Sequence, residues 1–244
     1  MRSLLLGSLR PATALLLLLE PGIVAAQAPG GSLSVAPVQL SLTGLARSVS
    51  TIVSNPGTSP ITVQVRLYRW TMKDEEEVYS PVDDAGFSPP MFRLEPRGTQ
   101  SVRIVAKVPP GPVERSYRLV VDQLPLAGAA GQLQLPVRMV LPVFVEPAAG
   151  VPRSPSLEWS ARQDPQTQRI SISVRNRGSV HVRLVELTAQ AGDKPTVVAS
   201  GLAGYALAGQ ERAWSYKADG SPKSVTITAR DGAKLLRVLI PVTR

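Results

Sequence analysis

Few residues of this chain could do covalent chemistry. Of its 244 residues one is histidine and none is cysteine. A histidine can act as a general base or orient a nucleophile, but His181 sits between Val180 and Val182 in an alternating run, and no Gly-x-Ser-x-Gly elbow accompanies it. It reads as a strand residue that faces solvent or packs on a neighbour. Without cysteine there is no thiol catalysis, disulfide or zinc–thiolate site. There is also no histidine pair for a metal, and no glycine-rich strand-to-helix loop to cradle a phosphate. Carboxylates cluster in Lys73-Asp74-Glu75-Glu76-Glu77 and Asp83-Asp84, around Tyr79-Ser80-Pro81. Paired carboxylates can serve as acid and base or bind calcium, but these lack the oxygen spacing and the glycine of a calcium loop. They read as a solvated connecting loop. The expectation is a protein that is not an enzyme and carries no cofactor or metal.

What the residues do offer is a surface for another polypeptide. Gln132 to Pro147 reads Q-L-Q-L-P-V-R-M-V-L-P-V-F-V-E-P, and Leu133, Leu135, Val137, Met139 and Leu141 fall on one side of an extended strand. Pro136 and Pro142 cannot donate to a ladder, which points to a sheet edge. A long apolar edge with little charge is an aggregation hazard. Either another part of the chain covers it, or it pairs with a second polypeptide by strand addition.

The compartment agrees with either reading. Residues 1–28 have the form of a secretory signal: Arg2 and Arg10, then an apolar run from Ala12 to Leu19, then Ala26-Gln27-Ala28 as a small-x-small cleavage pattern. That run is shorter than the roughly 20 residues of a membrane span, so cleavage after Ala28 and export, with no membrane insertion, are expected. The formal charge is +9, and loss of Arg2, Arg10 and Glu20 with the signal leaves +8. The basic residues are spread along strands. They read as a solvated basic surface, and an exported protein has little use for nucleic acid.

The elements that must position this edge are short strands. Leu33 and Val35 share one parity and Val38, Leu40 and Leu42 take the other after Pro37, as in a strand that bends from one sheet to another. Hairpin signals follow at Asn55-Pro56-Gly57 and at Asn176-Arg177-Gly178, each between alternating runs. Tyr117 opens the run Ser116–Leu124, where a tyrosine can tie a sandwich corner. Pro147 to Pro155 is rich in proline and small residues, as a domain boundary is. The pattern predicts an all-β chain of two β-sandwich domains: 29–147, which includes the organising strand, and 148–244.

At this point the order of several segments becomes specific. V-S-N (Val53–Asn55), F-R-L-E-P-R-G (Phe92–Gly98), Y-R-L-V-V-D-Q-L-P (Tyr117–Pro125), L-P-V-F-V-E-P (Leu141–Pro147) and V-R-N-R-G-S-V-H-V-R-L (Val174–Leu184) together resemble the periplasmic chaperones of the chaperone–usher pilus (fimbrial) pathway. The R-M-V-L-P-V-F-V run is similar to the divergent branches, archaic or spore-coat-like. The resemblance implies two immunoglobulin-like domains set at an angle, location in the periplasm, and a role in fimbrium biogenesis. It implies binding of pilus subunits by donor-strand complementation and delivery to an outer-membrane usher. The donor row it implies is Leu133, Leu135 and Val137, with Met139 continuing the same face. Basic residues of the family that hold the subunit's terminal carboxylate match Gln39 and Pro142 here, so neither charge carries over. Arg138, together with Arg118, is the candidate substitute, the alternative for Arg138 being a solvated strand arginine. Without a client, self-association through the donor edge would cover it. The competing reading is a secreted structural or adhesive two-sandwich protein.

Overall fold

The computed structural model describes residues 32–44, 46–73, 76–125, 136–192 and 194–244, and all the elements among them are β-strands. The first half of the chain gives β1 (Ser34–Ala36), β2 (Leu40–Leu42), β3 (Ser48–Ser54), β4 (Ile61–Lys73), β5 (Glu76–Ser80), β6 (Ala85–Ser88), β7 (Met91–Leu94), β8 (Thr99–Ala106), β9 (Arg115–Leu124) and β10 (Arg138–Val145). Two sheets face each other: β1-β3-β8-β6, and β2-β10-β9-β4-β5 with β7 also on β4. The switch at Pro37 behaves as the alternation predicts, with β1 on one sheet and β2 on the other. Leu33 and Val35 are buried on one side of the proline and Leu40 and Leu42 on the other, but Val38 is 59% exposed and belongs to the bend.

Period-two burial follows from the sequence. Ile61, Val63, Val65 and Leu67 of β4 meet Leu119 and Val121 of β9 and Leu141, Val143 and Val145 of β10 in one core. The opposite face of the same sheet carries Arg66, Tyr68, Arg118, Asp122 and Arg138. Asn55 knots the end of β3. Its amide donates to the carbonyls of Ser59 (2.8 Å), Leu94 and Glu95, and its Oδ1 accepts from the backbone of Ser32 and Gly57.

The second half gives β11 (Leu157–Gln163), β12 (Arg169–Asn176), β13 (Val182–Gln190), β14 (Pro195–Ala206), β15 (Glu211–Lys217), β16 (Ser224–Asp231) and β17 (Lys234–Thr243). The order is β14-β13-β16-β17-β11-β12-β15, where β11 and β17 join in parallel only at Ala161–Val242 and Arg162–Thr243. A separate core of Ile170, Ile172, Leu184, Leu187 and Ile227 fills it. Asn176 repeats the knot of Asn55, donating to Val180 (2.8 Å) and Ala206 (2.9 Å) and accepting from Ser156 and Gly178. A third, small cluster of Trp70, Phe144, Tyr205 and Leu207 is built from both halves of the chain.

Candidate functional site

β10 is covered unevenly. Along its whole length it pairs with β9, from Arg138 opposite Asp122 to Val145 opposite Arg115. On its other side β2 pairs only with Val143, Phe144 and Val145. The stretch Arg138–Pro142 therefore has a ladder partner on one side only among the described residues. The edge extends upstream by one further bond, from the N–H of Gln123 to the carbonyl of Val137 at 2.9 Å. Val145, Val143 and Leu141 lie in the domain-one core, Met139 is half-buried against it, and Val137 is 39% exposed. One apolar row thus begins inside the sandwich and runs out of it. Leu133 and Leu135 lie outside the described residues.

Arg138 is largely exposed and binds Asp122, Nε to Oδ1 at 2.5 Å. Arg66 reaches the same carboxylate from β4. Burial pushes the Asp122 carboxyl up, but the bonds from Arg138 and Arg66 outweigh that and hold it below its ordinary range. The bond and charge of Asp122 in turn raise the Arg138 guanidinium above its usual value. Gln39 is exposed in the bend before β2. Pro142 stands directly opposite Arg118 in the ladder.

Arg118 is 8% exposed. Its guanidinium lies over the Trp70 ring at 3.5 Å and its Nη2 donates to both oxygens of Glu77 at 2.9 Å. From the second half of the chain Arg212 approaches the same carboxylate at 3.6 Å and donates to the Met72 sulfur. Burial and the charge of Arg118 lower the Arg212 guanidinium against the opposing pull of Glu77. Gly204, with φ +127°, makes room: a Cβ there would meet Nε, Cζ and Nη2 of Arg212 at 2.4–2.7 Å.

The junction continues through aromatic packing. Phe144 stacks on His181 with centroids 3.7 Å apart, and Trp70 meets Tyr205 edge-on at 5.2 Å. His181 Nδ1 lies 2.8 Å from the buried Glu114 carboxylate, whose backbone N–H donates to the Ser179 carbonyl. His181 therefore packs between the two halves and does not sit on a solvent-facing strand.

The acidic stretch also departs from its expected solvated loop. Glu76–Ser80 is β5, Glu77 serves two arginines, and Asp84 binds Arg69 (2.5 Å), Arg115 (3.4 Å) and the Tyr117 hydroxyl (3.0 Å). Tyr117 thus ties a corner as predicted, with a carboxylate as its partner. Burial pushes its hydroxyl up to about 12. Glu77, Asp84 and Arg212 were hidden because the ion-pair partners of each lie outside its local run, although the Tyr79 hydroxyl close by also donates to Glu77. The only local hint was an acidic run beside strands rich in arginine.

The fold and the site together define a two-domain immunoglobulin-like protein in which the uncovered edge of β10 runs into a basic interdomain junction. Residues 32–150 match the model of a pili and flagellar-assembly chaperone, PapD N-terminal domain, and this domain of the chain belongs to that family. A chain of the CsuC–CsuE chaperone–tip adhesion subunit pre-assembly complex, from the archaic chaperone-usher Csu pili of Acinetobacter baumannii, superposes with TM-score 0.68 at 21% identity, over 87% of this chain and 100% of its own. The chaperone DraB of E. coli gives TM-score 0.56 at 18% identity, over 85% and 96%. A chain of the Salmonella enterica SafA pilin–SafB chaperone complex gives 0.59 at 17%, over 85% and 96%. No curated protein sequence matches the chain.

Proposed function

We propose that the protein is a periplasmic chaperone that captures pilus subunits by lending them the edge of β10, and that it passes them to an outer-membrane usher. The observation that carries the reading is the edge itself: Arg138–Pro142 pairs with β9 alone, next to the exposed Val137. An unpaired strand with an alternating apolar row supplies backbone bonds for affinity and side chains for selectivity. Membership of the pilus-chaperone family and the fold shared with chaperone–subunit complexes support it.

In this reading 1–28 is the cleaved signal, 29–147 the subunit-binding domain and 148–244 the second domain. Leu133, Leu135 and Val137 enter the subunit groove, and Met139 sits where the donor row passes into the chaperone's own core. Each side chain that is fully buried would add about 1.5–3 kcal/mol, less the ordering cost of association. Arg118 stands beside Pro142 but is engaged by Glu77, and Arg138 is engaged by Asp122, so an acidic group of the subunit would have to displace one of these carboxylates to be held by either arginine.

The test is capture in the periplasm. The tagged protein is expressed with subunits encoded in its own genome and compared with Leu135→Asp. A stoichiometric partner that disappears with Leu135→Asp supports strand donation. A wild-type protein that comes out alone, or a partner indifferent to the charge, moves the secreted structural reading ahead.

A further inference from the structure

The positive charge is not shared evenly between the two halves. Residues 148–244 hold 14 lysines and arginines against seven aspartates and glutamates, a net +7 of the +8 left after loss of the signal. Such an imbalance gathers an anionic partner around one domain. The same domain bears an apolar face. Strands β14, β13, β16 and β17 are neighbours in that order, and Leu184, Leu187, Ile227 and Ile240 point from them into the core. On the opposite face Leu202, Val185, Arg230 and Leu235 stand side by side across the four strands. Val197 and Arg237 end the next row, and Leu239 lies in the one after it. Val197, Leu202, Leu235 and Leu239 are 64%, 58%, 54% and 68% exposed, and among the described residues they are all the exposed large hydrophobics beyond residue 147. Scattered singly they would need no explanation, but gathered on one sheet face they do. Glu186 pairs with Arg230, whereas Arg237 meets no carboxylate among the described residues.

Size and charge narrow what can cover this face. Three rows on four strands span about 14 Å each way, well short of the roughly 800 Å² that each partner gives to a stable protein interface. A second copy would bring another +7 against it. A bilayer makes neither demand. Leucines on a sheet face can sink to the boundary of headgroups and acyl chains while guanidiniums beside them meet phosphate. We propose that the outer face of β14-β13-β16-β17 docks on an anionic phospholipid surface, with Leu235 and Leu239 entering the headgroup region and Arg237 held against phosphate. The docking is peripheral and reversible. Its use rests on the reading of the protein as a periplasmic chaperone: the second domain keeps it at a membrane surface while the first lends its edge.

The test is co-sedimentation of the full mature protein with vesicles, of phosphatidylcholine alone and of phosphatidylcholine with phosphatidylglycerol in equal parts. At about 0.1 M salt the protein should bind the anionic vesicles and not the neutral ones, and at about 1 M salt, where screening is complete within about 3 Å, binding should be lost. Leu235→Ser combined with Leu239→Ser should weaken binding at least about tenfold. Both side chains are more than half exposed, so the variant should keep the melting temperature of the wild type. Arg237→Gln should weaken binding about fivefold. Lys217→Gln removes the same charge from an exposed position on β15, in the layer across the core. Sheets lie about 10 Å apart, a full screening length at this salt, so this change should cost less than about twofold.

A protein that ignores anionic vesicles would overturn the proposal and leave the face to a protein partner. Binding that survives the paired leucine change, or that falls equally with Lys217→Gln and Arg237→Gln, would overturn it too, since net charge alone would then be responsible. A dimer in the absence of vesicles that Leu239→Ser dissolves would assign the face to a second copy. The two readings fail separately. Leu135→Asp should leave vesicle binding unchanged, so capture that is indifferent to Leu135→Asp sinks strand donation alone, and capture that depends on it while vesicles are ignored sinks the membrane face alone.

Discussion

At the scale of single residues, domain one is organised by carboxylates that each serve two arginines: Asp122 with Arg66 and Arg138, Asp84 with Arg69 and Arg115, Glu77 with Arg118 and Arg212. For Asp84, burial raises the carboxyl, but the bonds from Arg69 and Tyr117 and the two arginine charges prevail and depress it. A depressed carboxyl stabilises the fold fully above its unfolded value, ordinarily about 3.9, and loses that contribution as pH falls through the folded value. Stability should therefore be level from neutral pH to about 5 and fall below about 4, where the unfolded state binds more protons. Urea midpoints of wild type and Asp84→Asn between pH 3 and 7 check this. The variant should be weaker at pH 7 and change less on acidification, and parallel curves would show that Asp84 is not the source. None of this could be read from D-D in the sequence, since Asp84 meets Arg115 and Tyr117 from 31 and 33 residues away. Its neighbours in the chain looked like those of a solvated loop. The lone histidine packs on a neighbour, one of the two readings its sequence context allowed, but which neighbour was hidden because its partner Glu114 is 67 residues distant.

Elements were more legible than pairs. Period-two alternation identified β4, β8, β9, β12 and the core half of β10, because one face of each packs on a single core and the pleat enforces the period, although β9 and the core half of β10 are covered on the other face as well. The turn asparagines were readable too, though not their depth. Asn55 and Asn176 each satisfy backbone groups of several segments at once, so Asn55→Ala strands buried donors and acceptors and should cost about 2–4 kcal/mol. A chemical denaturation series would measure this, and a loss below about 1 kcal/mol would mean that water replaces the amide. What alternation could not give was how far an edge is covered. That β2 stops at Val143 depends on the register of a parallel pair set by the bend at Pro37. The functional consequence belongs to this scale. Val137→Asp places a charge on the exposed start of the row while leaving the core untouched, so it should lower subunit capture at least about tenfold, the cost of desolvating an unpaired charge in a groove. The melting temperature should be unchanged. Capture that survives would place the donor segment upstream of Val137.

For the molecule as a whole, the question is whether the two sandwiches act as one body, and the junction supplies the argument. Trp70 and Phe144 from the first half and Tyr205 and Leu207 from the second are all buried in one cluster, with the His181 ring laid on Phe144. Polar bonds frame it: the Met72 N–H to the Gln210 side chain at 2.6 Å, and the Glu114 N–H to the Ser179 carbonyl at 2.9 Å. An apolar cluster closed by such bonds resists hinge motion, because opening it would expose aromatic surface and part Glu114 from His181 and Arg212 from Glu77 and Met72. Phe144 is the best probe. It belongs to β10, so it ties the lent edge to the second domain. Phe144→Ala should remove about 3–5 kcal/mol of packing, and all of it should be lost from the junction, since neither sandwich core contains that ring. Calorimetry should then show the single unfolding transition of the wild type split into two. Small-angle scattering should show a wider spread of domain separations, and subunit capture should fall although the residues of the edge are intact. A single transition that merely shifts to lower temperature would mean that the polar frame alone couples the domains. In that event Glu114→Ala, which removes the bonds to His181 and leaves the stack, should be the substitution that separates them.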